Sequence, residues 1–323
     1  MAIPLQLMFY GNAKFLRLIM KNIFIVETPL QLLCAYELIN TLGGKYCLIL
    51  RFSEVGRNDS QMVFSAKKLN LKYRIILIRT HHAYSDFLFG IFRLIDVFFN
   101  KYEIIFLGSY FSKFIKMFGL LIWSNKKYLL DDGVATLLAQ KRMSANGHII
   151  DLATFFDIPL LASQSKIKHS FEAIRKKFTL SDPKGNYFIG QDLVEKDYLT
   201  LDKYIDLIKI IITQHKGTLF YYPHRAESDK TISAISKLSG VNLIYQEACI
   251  EIEFLSNKIY PKNIFTCIST AIITLSAIYP KANILTIIPK DFKTSDPHFH
   301  DILDYLKTLN NVRVFNLSDD KLP

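Results

Sequence analysis

Ile23-Phe24-Ile25-Val26-Glu27-Thr28-Pro29-Leu30-Gln31 decides how the chain is read. Four consecutive apolar residues, three of them β-branched, have the form of a short strand buried on both faces. Pro29 then suits the first position of a helix running through Leu30–Leu42. From Asn22 onward the chain repeats this alternation of short apolar runs and longer amphipathic runs, the pattern of βαβ units on a parallel sheet. Strands are expected at 23–26, 46–50, 74–78, 104–107 and 128–130, and again at 187–189, 218–222, 242–244, 264–267, 284–288 and 312–315. Helices are expected between them, for example 201–215, 229–238, 270–278 and 299–309. At 323 residues the chain exceeds the size of a single core, so two domains of about 150 residues each are expected.

The polar stretch 163–185, containing Asp182-Pro183-Lys184-Gly185, interrupts the alternation and is expected to be a linker. It separates an N-terminal domain (20–162) from a C-terminal one (186–323), two doubly wound α/β domains facing a cleft. Residues 1–19 lack the order of a signal peptide. Met20 leads directly into the first strand, so these residues are expected to be an extension outside the fold.

Half of the residues are hydrophobic, with 25 Phe and 17 Tyr, and the formal net charge is +11. This is an ordered chain with a basic surface that suits an anionic substrate or an anionic membrane. No nucleic-acid-binding module is recognisable, so nucleic acid is not expected as a partner. Two very apolar stretches, Phe87–Phe99 around Arg93 and Tyr110–Trp123 around Lys113 and Lys116, are too interrupted by charge to span a bilayer. They read either as core helices with snorkelling cations or as surfaces resting on a membrane. Cys34, Cys47, Cys249 and Cys267 have no CxxC or zinc spacing and read as reduced core residues, as in the cytoplasm. His81-His82 and His298-x-His300 lack further ligands at interpretable spacing and read as loop residues.

The turn after the first strand has no glycine for a pyrophosphate, which disfavours a dinucleotide-dependent dehydrogenase. Walker, GxSxG, HExxH and DxD patterns are also missing. Three polar signatures at strand ends remain, where open α/β sheets bind ligands. Asp131-Asp132-Gly133 places two carboxylates in a turn, and like charges held close raise one pKa toward that of a general base. The alternative is an Asp cap on the following helix. Pro223-His224-Arg225 puts an imidazole beside a fixed cation, suited to a phosphate leaving group, and Glu227 could orient it. Ser269-Thr270 opens a helix, offering hydroxyls and free N–H groups to an anion, or simply capping it. After strand 187–189, Gln191 can reach a donor, and Asp192 and Asp202 are further base candidates.

Acidic-acidic-Gly, His-Pro-type and Ser/Thr signatures in that order resemble the bacterial sialyltransferases. The Ile23–Gln31 opening, with Thr28-Pro29-Leu30-Gln31 its most specific part, resembles glycosyltransferase family 52, the bacterial lipooligosaccharide and capsular polysaccharide sialyltransferases. The resemblance runs from about Asn22 to the C-terminal region. It implies a GT-B-like fold of two Rossmann-like domains and inverting, metal-independent transfer of N-acetylneuraminic acid from CMP-Neu5Ac to a terminal galactose. It also implies that Asp131 or Asp132 is the base, that His224 acts on the CMP phosphate, and that Ser269 and Thr270 bind that phosphate. Arg225 and Gln191 are expected on the donor, and Thr28, Pro29, Gln31 and Gly133 in the cleft. Pro-His-Arg departs from a plain His-Pro order, and Asp192 or Asp202 could replace the Asp pair. No cofactor or metal is expected. The expected partners are a nucleotide sugar, an oligosaccharide or lipid-linked acceptor, and the inner face of the plasma membrane. The alternatives are a GT-B enzyme using another nucleotide sugar, such as a UDP-hexose, and a non-catalytic membrane-associated capsule assembly protein.

Overall fold

The structure, a computed structural model, describes residues 22–317 apart from 55, 80, 179–181, 268, 290, 291 and 293–298. The expected extension 1–19 and His298 lie outside the described residues.

The first lobe runs β1 (Asn22–Val26), α1 (Pro29–Leu42), β2 (Tyr46–Phe52), α2 (Gly56–Lys68), β3 (Arg74–Leu77), α3 (Ala83–Arg93), α4 (Ile95–Phe99), β4 (Tyr102–Leu107), α5 (Lys113–Leu121), β5 (Ser124–Leu130), α6 (Val134–Asn146), β6 (Asp151–Thr154) and β7 (Lys166–Lys168). Then α7 (Glu172–Phe178) leads to the second lobe: β8 (Lys184–Ile189), α8 (Leu201–Gln214), β9 (Leu219–Tyr222), α9 (Asp229–Ser236), β10 (Val241–Leu243), α10 (Ile250–Ser256), β11 (Pro261–Thr266), α11 (Ala271–Ile278), β12 (Asn283–Ile288), α12 (Phe299–Lys307) and β13 (Val312–Asn316).

The seven-stranded sheet has the order β3-β2-β1-β4-β5-β6-β7 and the six-stranded one β10-β9-β8-β11-β12-β13. All pairings within them are parallel. β1 is buried along its whole length, as a strand covered on both faces by crossover helices must be. Thr28 caps α1 by accepting from Gln31 N, with Pro29 in the first turn. Each sheet reverses strand order once, between β1 and β4 and between β8 and β11. Crevices at the carboxyl ends of such strands are where ligands bind.

The stretch 163–185 is not an open linker. Its first part supplies edge strand β7 to the N-terminal sheet, and α7 docks between the lobes. Glu37 of α1 accepts from Ala173 N and Ile174 N, both at 3.1 Å, at the start of α7, where a carboxylate satisfies open N–H groups. Arg175 of the same helix donates to Ala277 O of α11 at 2.9 Å. α12 returns to the first lobe: Lys141 pairs with Asp301 at 2.6 Å, and Phe156 lies against Tyr305 with ring centroids 5.1 Å apart. Among the described residues no helix is long and apolar enough to cross a membrane.

Candidate active site

The second lobe brings its predicted residues to one place. Gln191 and Asp192 follow β8, His224 and Arg225 follow β9, and Ser269 and Thr270 follow β11. All six line one cleft cavity of about 560 Å³, and Arg57 and Gln61 of α2 line it from the first lobe. At the start of α11, Thr270 makes no side-chain cap, while Ser269 Oγ accepts from Ala271 N at 3.3 Å. The positive end of the helix is therefore turned to the cavity that holds the imidazole.

His224 Nδ1 accepts from Ala226 N at 3.3 Å and lies 4.0 Å from Asp192 Oδ1. Burial lowers the imidazole pKa; Asp192 opposes the shift, and Arg225, Lys196 and Arg57 reinforce it. The ring is thus neutral near pH 7. With Nδ1 accepting, its proton sits on Nε2, ready to be donated to an anion.

A buried polar chain holds this loop rigid. Glu227 accepts from Tyr221 OH at 2.9 Å and from His224 N at 3.2 Å; Tyr221 meets Tyr204 OH at 3.0 Å, and Tyr204 OH accepts from Gln191 N at 3.3 Å. The ends of β8 and β9 are therefore tied through one carboxylate. Burial pushes Glu227 up to about 8. Gly190 makes the arrangement possible, because a Cβ there would collide with Glu227 Oε1 and the Tyr221 hydroxyl. Gln246, which lines the same cavity, donates to Pro223 O at 3.1 Å and fixes the proline.

In the first lobe the two adjacent aspartates part company. Successive residues leaving a strand point to opposite sides, and Asp131 is fully buried. It accepts from Thr154 Oγ1 at 2.7 Å and Phe155 N at 2.8 Å, both from the end of β6. Burial pushes it up to about 7 against those hydrogen bonds. This overturns its expected place as a base open to the cleft: it is a buried brace. Asp132 is the partly exposed member. Thr28 Oγ1 donates to it at 3.4 Å, and its own N–H goes to Thr136 Oγ1 at 2.9 Å. Burial raises its pKa, opposed by Gln31, Thr28 and Ser109. The cap of α6 is Gly133, in the left-handed region at φ 62°, so neither aspartate caps that helix.

The like-charge neighbour expected at position 131 is supplied by Glu27, directly after β1. Glu27 is bound by Arg51 at 3.2 Å and Ser112 Oγ at 3.0 Å. Burial raises its pKa first, and the charge of Asp132 adds to that. Glu27, Thr28, Ser109 and Asp132 thus gather at the β1/β4 switch point and the adjacent end of β5. Pro29 and Gln31 are buried beneath, with Gln31 Oε1 accepting from Glu27 N at 2.8 Å. The cavity around His224 is lined from the first lobe by α2, not by Asp131 or Asp132. Asp202 is exposed in the first turn of α8 and does not line the cavity, a place that suits a carboxylate at a helix start. Asp192 does line it, held by Lys196 at 3.0 Å.

Sequence reasoning passed over Glu27, Arg57 and His169. Glu27 stands at the end of the strand that begins the fold, and that position was its signal. Arg57 sits at the start of an unremarked helix. His169, buried with both ring nitrogens unpartnered, lies 3.8 Å from Asp131 and is depressed to about 3 by burial and Lys168. Its ring, the Cys34 thiol and the Asp131 carboxylate have ligand atoms within 4.8 Å of one another, the group among the described residues that could hold a metal ion.

No protein-family model matches the chain, and no curated protein matches it either. Among solved structures, S. aureus MnaA with UDP aligns over 83% of this chain and 79% of that one, at 10% identity and a TM-score of 0.52. UDP-GlcNAc 2-epimerase from Neisseria meningitidis bound to UDP-GlcNAc aligns over 88% and 85%, also at 10% identity, with a TM-score of 0.51. At such identities the likeness is one of fold. With two parallel α/β sheets, each reversing order once, and an interlobe cleft between them, the chain has the GT-B fold.

Proposed function

We propose that the protein is a glycosyltransferase that moves a sugar from a nucleotide donor seated in the second lobe to an acceptor hydroxyl at the first. The observation that carries this is the shared cavity of His224, Arg225 and the start of α11 with Ser269 and Thr270. Those groups are donors and positive charge aimed at one anion, the chemistry a departing phosphate needs. In the transfer, the acceptor oxygen attacks the anomeric carbon on the face opposite the phosphate, and the sugar–phosphate bond breaks. A carboxylate takes the acceptor proton, and the neutral His224 Nε2–H stabilises the charge left on the departing phosphate oxygen by a hydrogen bond. Asp132, with Glu27 beside it, is our choice for the base because its raised pKa brings it toward neutrality without removing it from solvent. Asp192 is the alternative from the second lobe.

The finer reading is inverting, metal-independent transfer of N-acetylneuraminic acid from CMP-Neu5Ac to a terminal galactose of a capsular polysaccharide or lipooligosaccharide. It rests on the Thr-Pro-Leu-Gln opening and the order of the three signatures. A donor with one phosphate and one carboxylate also suits a cavity lined by Arg57, Lys196 and Arg225. A UDP-hexose donor is the competing reading within the same fold.

Thermal shift with CMP, UDP and GDP separates the donors: CMP alone should raise the melting temperature. Purified protein with CMP-Neu5Ac, galactose-ended oligosaccharides and EDTA should then release CMP. Stabilisation by UDP alone would replace the sialyl reading with the other donor. Full cellular function in His224→Ala would instead favour a non-catalytic assembly protein.

A further inference from the structure

Fifteen large apolar side chains are exposed among the described residues, and all but Leu77, Ile149, Leu160 and Tyr245 fall between Tyr84 and Trp123. Scattered exposed hydrophobics are ordinary, whereas a contiguous group marks a contact surface. The helical spacing makes this group contiguous. Tyr84, Leu88 and Phe92 recur every fourth residue along α3, Ile95 and Phe99 do so on α4, and Leu120 and Leu121 end α5. The opposite faces of these helices are core: Phe87 packs on Phe118 at 5.2 Å and on Phe114 at 6.3 Å, and Phe98 lies 6.0 Å from Phe118. Three helices are thus fused into one layer whose inner side is satisfied and whose outer side is aromatic. Leu120 is 79% exposed, Phe99 75% and Phe92 72%.

The charges on the same stretch choose the occupant. Arg93, Lys101, Lys113 and Lys116 are all exposed, and no ion pair among the described residues engages them. Of the acids nearby, Asp96 is held by Arg74 at 2.6 Å and Asp86 by Arg79 at 2.9 Å, which leaves Glu103. Lys101 and Lys116 instead sit over the rings of Trp123 and Tyr110, at 5.2 and 4.5 Å, lying flat along the aromatic surface as snorkelling lysines do. A two-fold pairing of this face with a second copy would set the cations of one subunit against those of the other. A bilayer with anionic headgroups offers an apolar interior to the aromatics and negative charge to their rim.

We infer that the α3–α4–α5 face docks on an anionic membrane surface. The inference stands on this surface alone and holds whether or not the cleft transfers a sugar. The layer also adjoins the first-lobe cluster: Ser112, the cap of α5, donates to Glu27, and exposed Phe111 precedes it. Docking therefore brings the β1/β4 strand ends beside the lipid headgroups, within reach of an acceptor anchored there.

Trp123 is the chain's single tryptophan and is 61% exposed on this face, so its fluorescence reports the contact directly. The full chain is mixed with vesicles of phosphatidylcholine containing about one-third phosphatidylglycerol, and with phosphatidylcholine alone. With the anionic vesicles the protein should co-sediment, and its emission should shift to the blue and be quenched by brominated lipid chains. Raising salt from about 0.1 to about 0.5 M should weaken binding several-fold. The double variants Phe92→Ser with Leu120→Ser and Lys113→Glu with Lys116→Glu should each cut the partition coefficient by about tenfold or more. Both alter exposed side chains, and unchanged melting confirms that they fold. The proposal is overturned if the full chain fails to bind, if it binds with Trp123 emission unmoved, or if both double variants bind like the parent. It is equally overturned if the chain forms a dimer that Phe92→Ser with Leu120→Ser dissociates while neither form binds vesicles.

Discussion

The two lobes share a topology and differ in what they place at their switch points. The first gathers carboxylates, Glu27 and Asp132, sunk far enough that burial raises both. The second gathers an imidazole, a guanidinium and a helix start around an open cavity, and burial there lowers His224. Desolvation disfavours charge in either case, so it makes the acids weaker and the imidazole less basic, moving both toward neutrality. In the transfer proposed above, one fold used twice supplies a proton acceptor on one side and an anion-stabilising donor on the other.

Breaking the second lobe should cost most. His224→Ala is expected to lower kcat by about 10²–10⁴-fold, measured as nucleotide release under saturating donor. Its melting temperature should stay close to that of the parent, since the ring is partly exposed and the hydrogen bond it accepts from Ala226 N is long, at 3.3 Å. A loss confined to KM would mean that the imidazole only holds the donor.

The adjacent aspartates sharpen the comparison, because they should fail differently. Asp132→Asn should lose about 10²-fold or more in rate with little change in stability. Asp131→Ala should unfold more easily by about 2–4 kcal/mol, because it leaves the Thr154 O–H and the Phe155 N–H without acceptors in the interior. Urea titration and initial rates on both variants check this. The reverse pattern would return the base to Asp131.

Identical neighbours in a sequence carry no mark of which one faces solvent. The alternation of apolar and amphipathic runs was legible because strands buried on both faces need continuous apolar residues, as in Ile23–Val26. β6 and β7 escaped it: Asp151–Thr154 is short, and Lys166–Lys168 is an edge strand with one apolar residue. Their absence is also why Asp131 looked free, since its partners Thr154 and Phe155 come from the missed β6. The second-lobe site was legible as three strand-end signatures, all on loops that converge. Arg57 and Gln61 were not, because they reach the cavity only through the packing of one lobe against the other, and no local pattern encodes that.

Glu227 tests how rigid the second-lobe loop is through pH. Its folded-state pKa is raised from 4.5 to about 8 by burial, so the folded state holds its proton more tightly than the unfolded chain. That contribution to stability is full below the unfolded value and is lost as pH rises through the folded one. The urea midpoint of the parent should therefore fall between about pH 5 and pH 8. Glu227→Gln, which cannot ionise, should flatten that slope. An unchanged slope would move the titration to another group, with Asp131, raised to about 7, the first to examine.

The smallest effect expected is also the one that couples the lobes. Arg57, from α2 of the first lobe, lines the second-lobe cavity, and its charge helps to lower the His224 pKa. Arg57→Ala should raise the donor KM about tenfold or less, as for one partly solvated contact, with kcat nearly kept. It should also raise the His224 pKa, read from an NMR titration of the ring, because imidazolium loses a repelling neighbour and forms more readily. A change in KM without that shift would place Arg57 on the donor but away from the histidine, and the two lobes would then act on separate parts of the substrate.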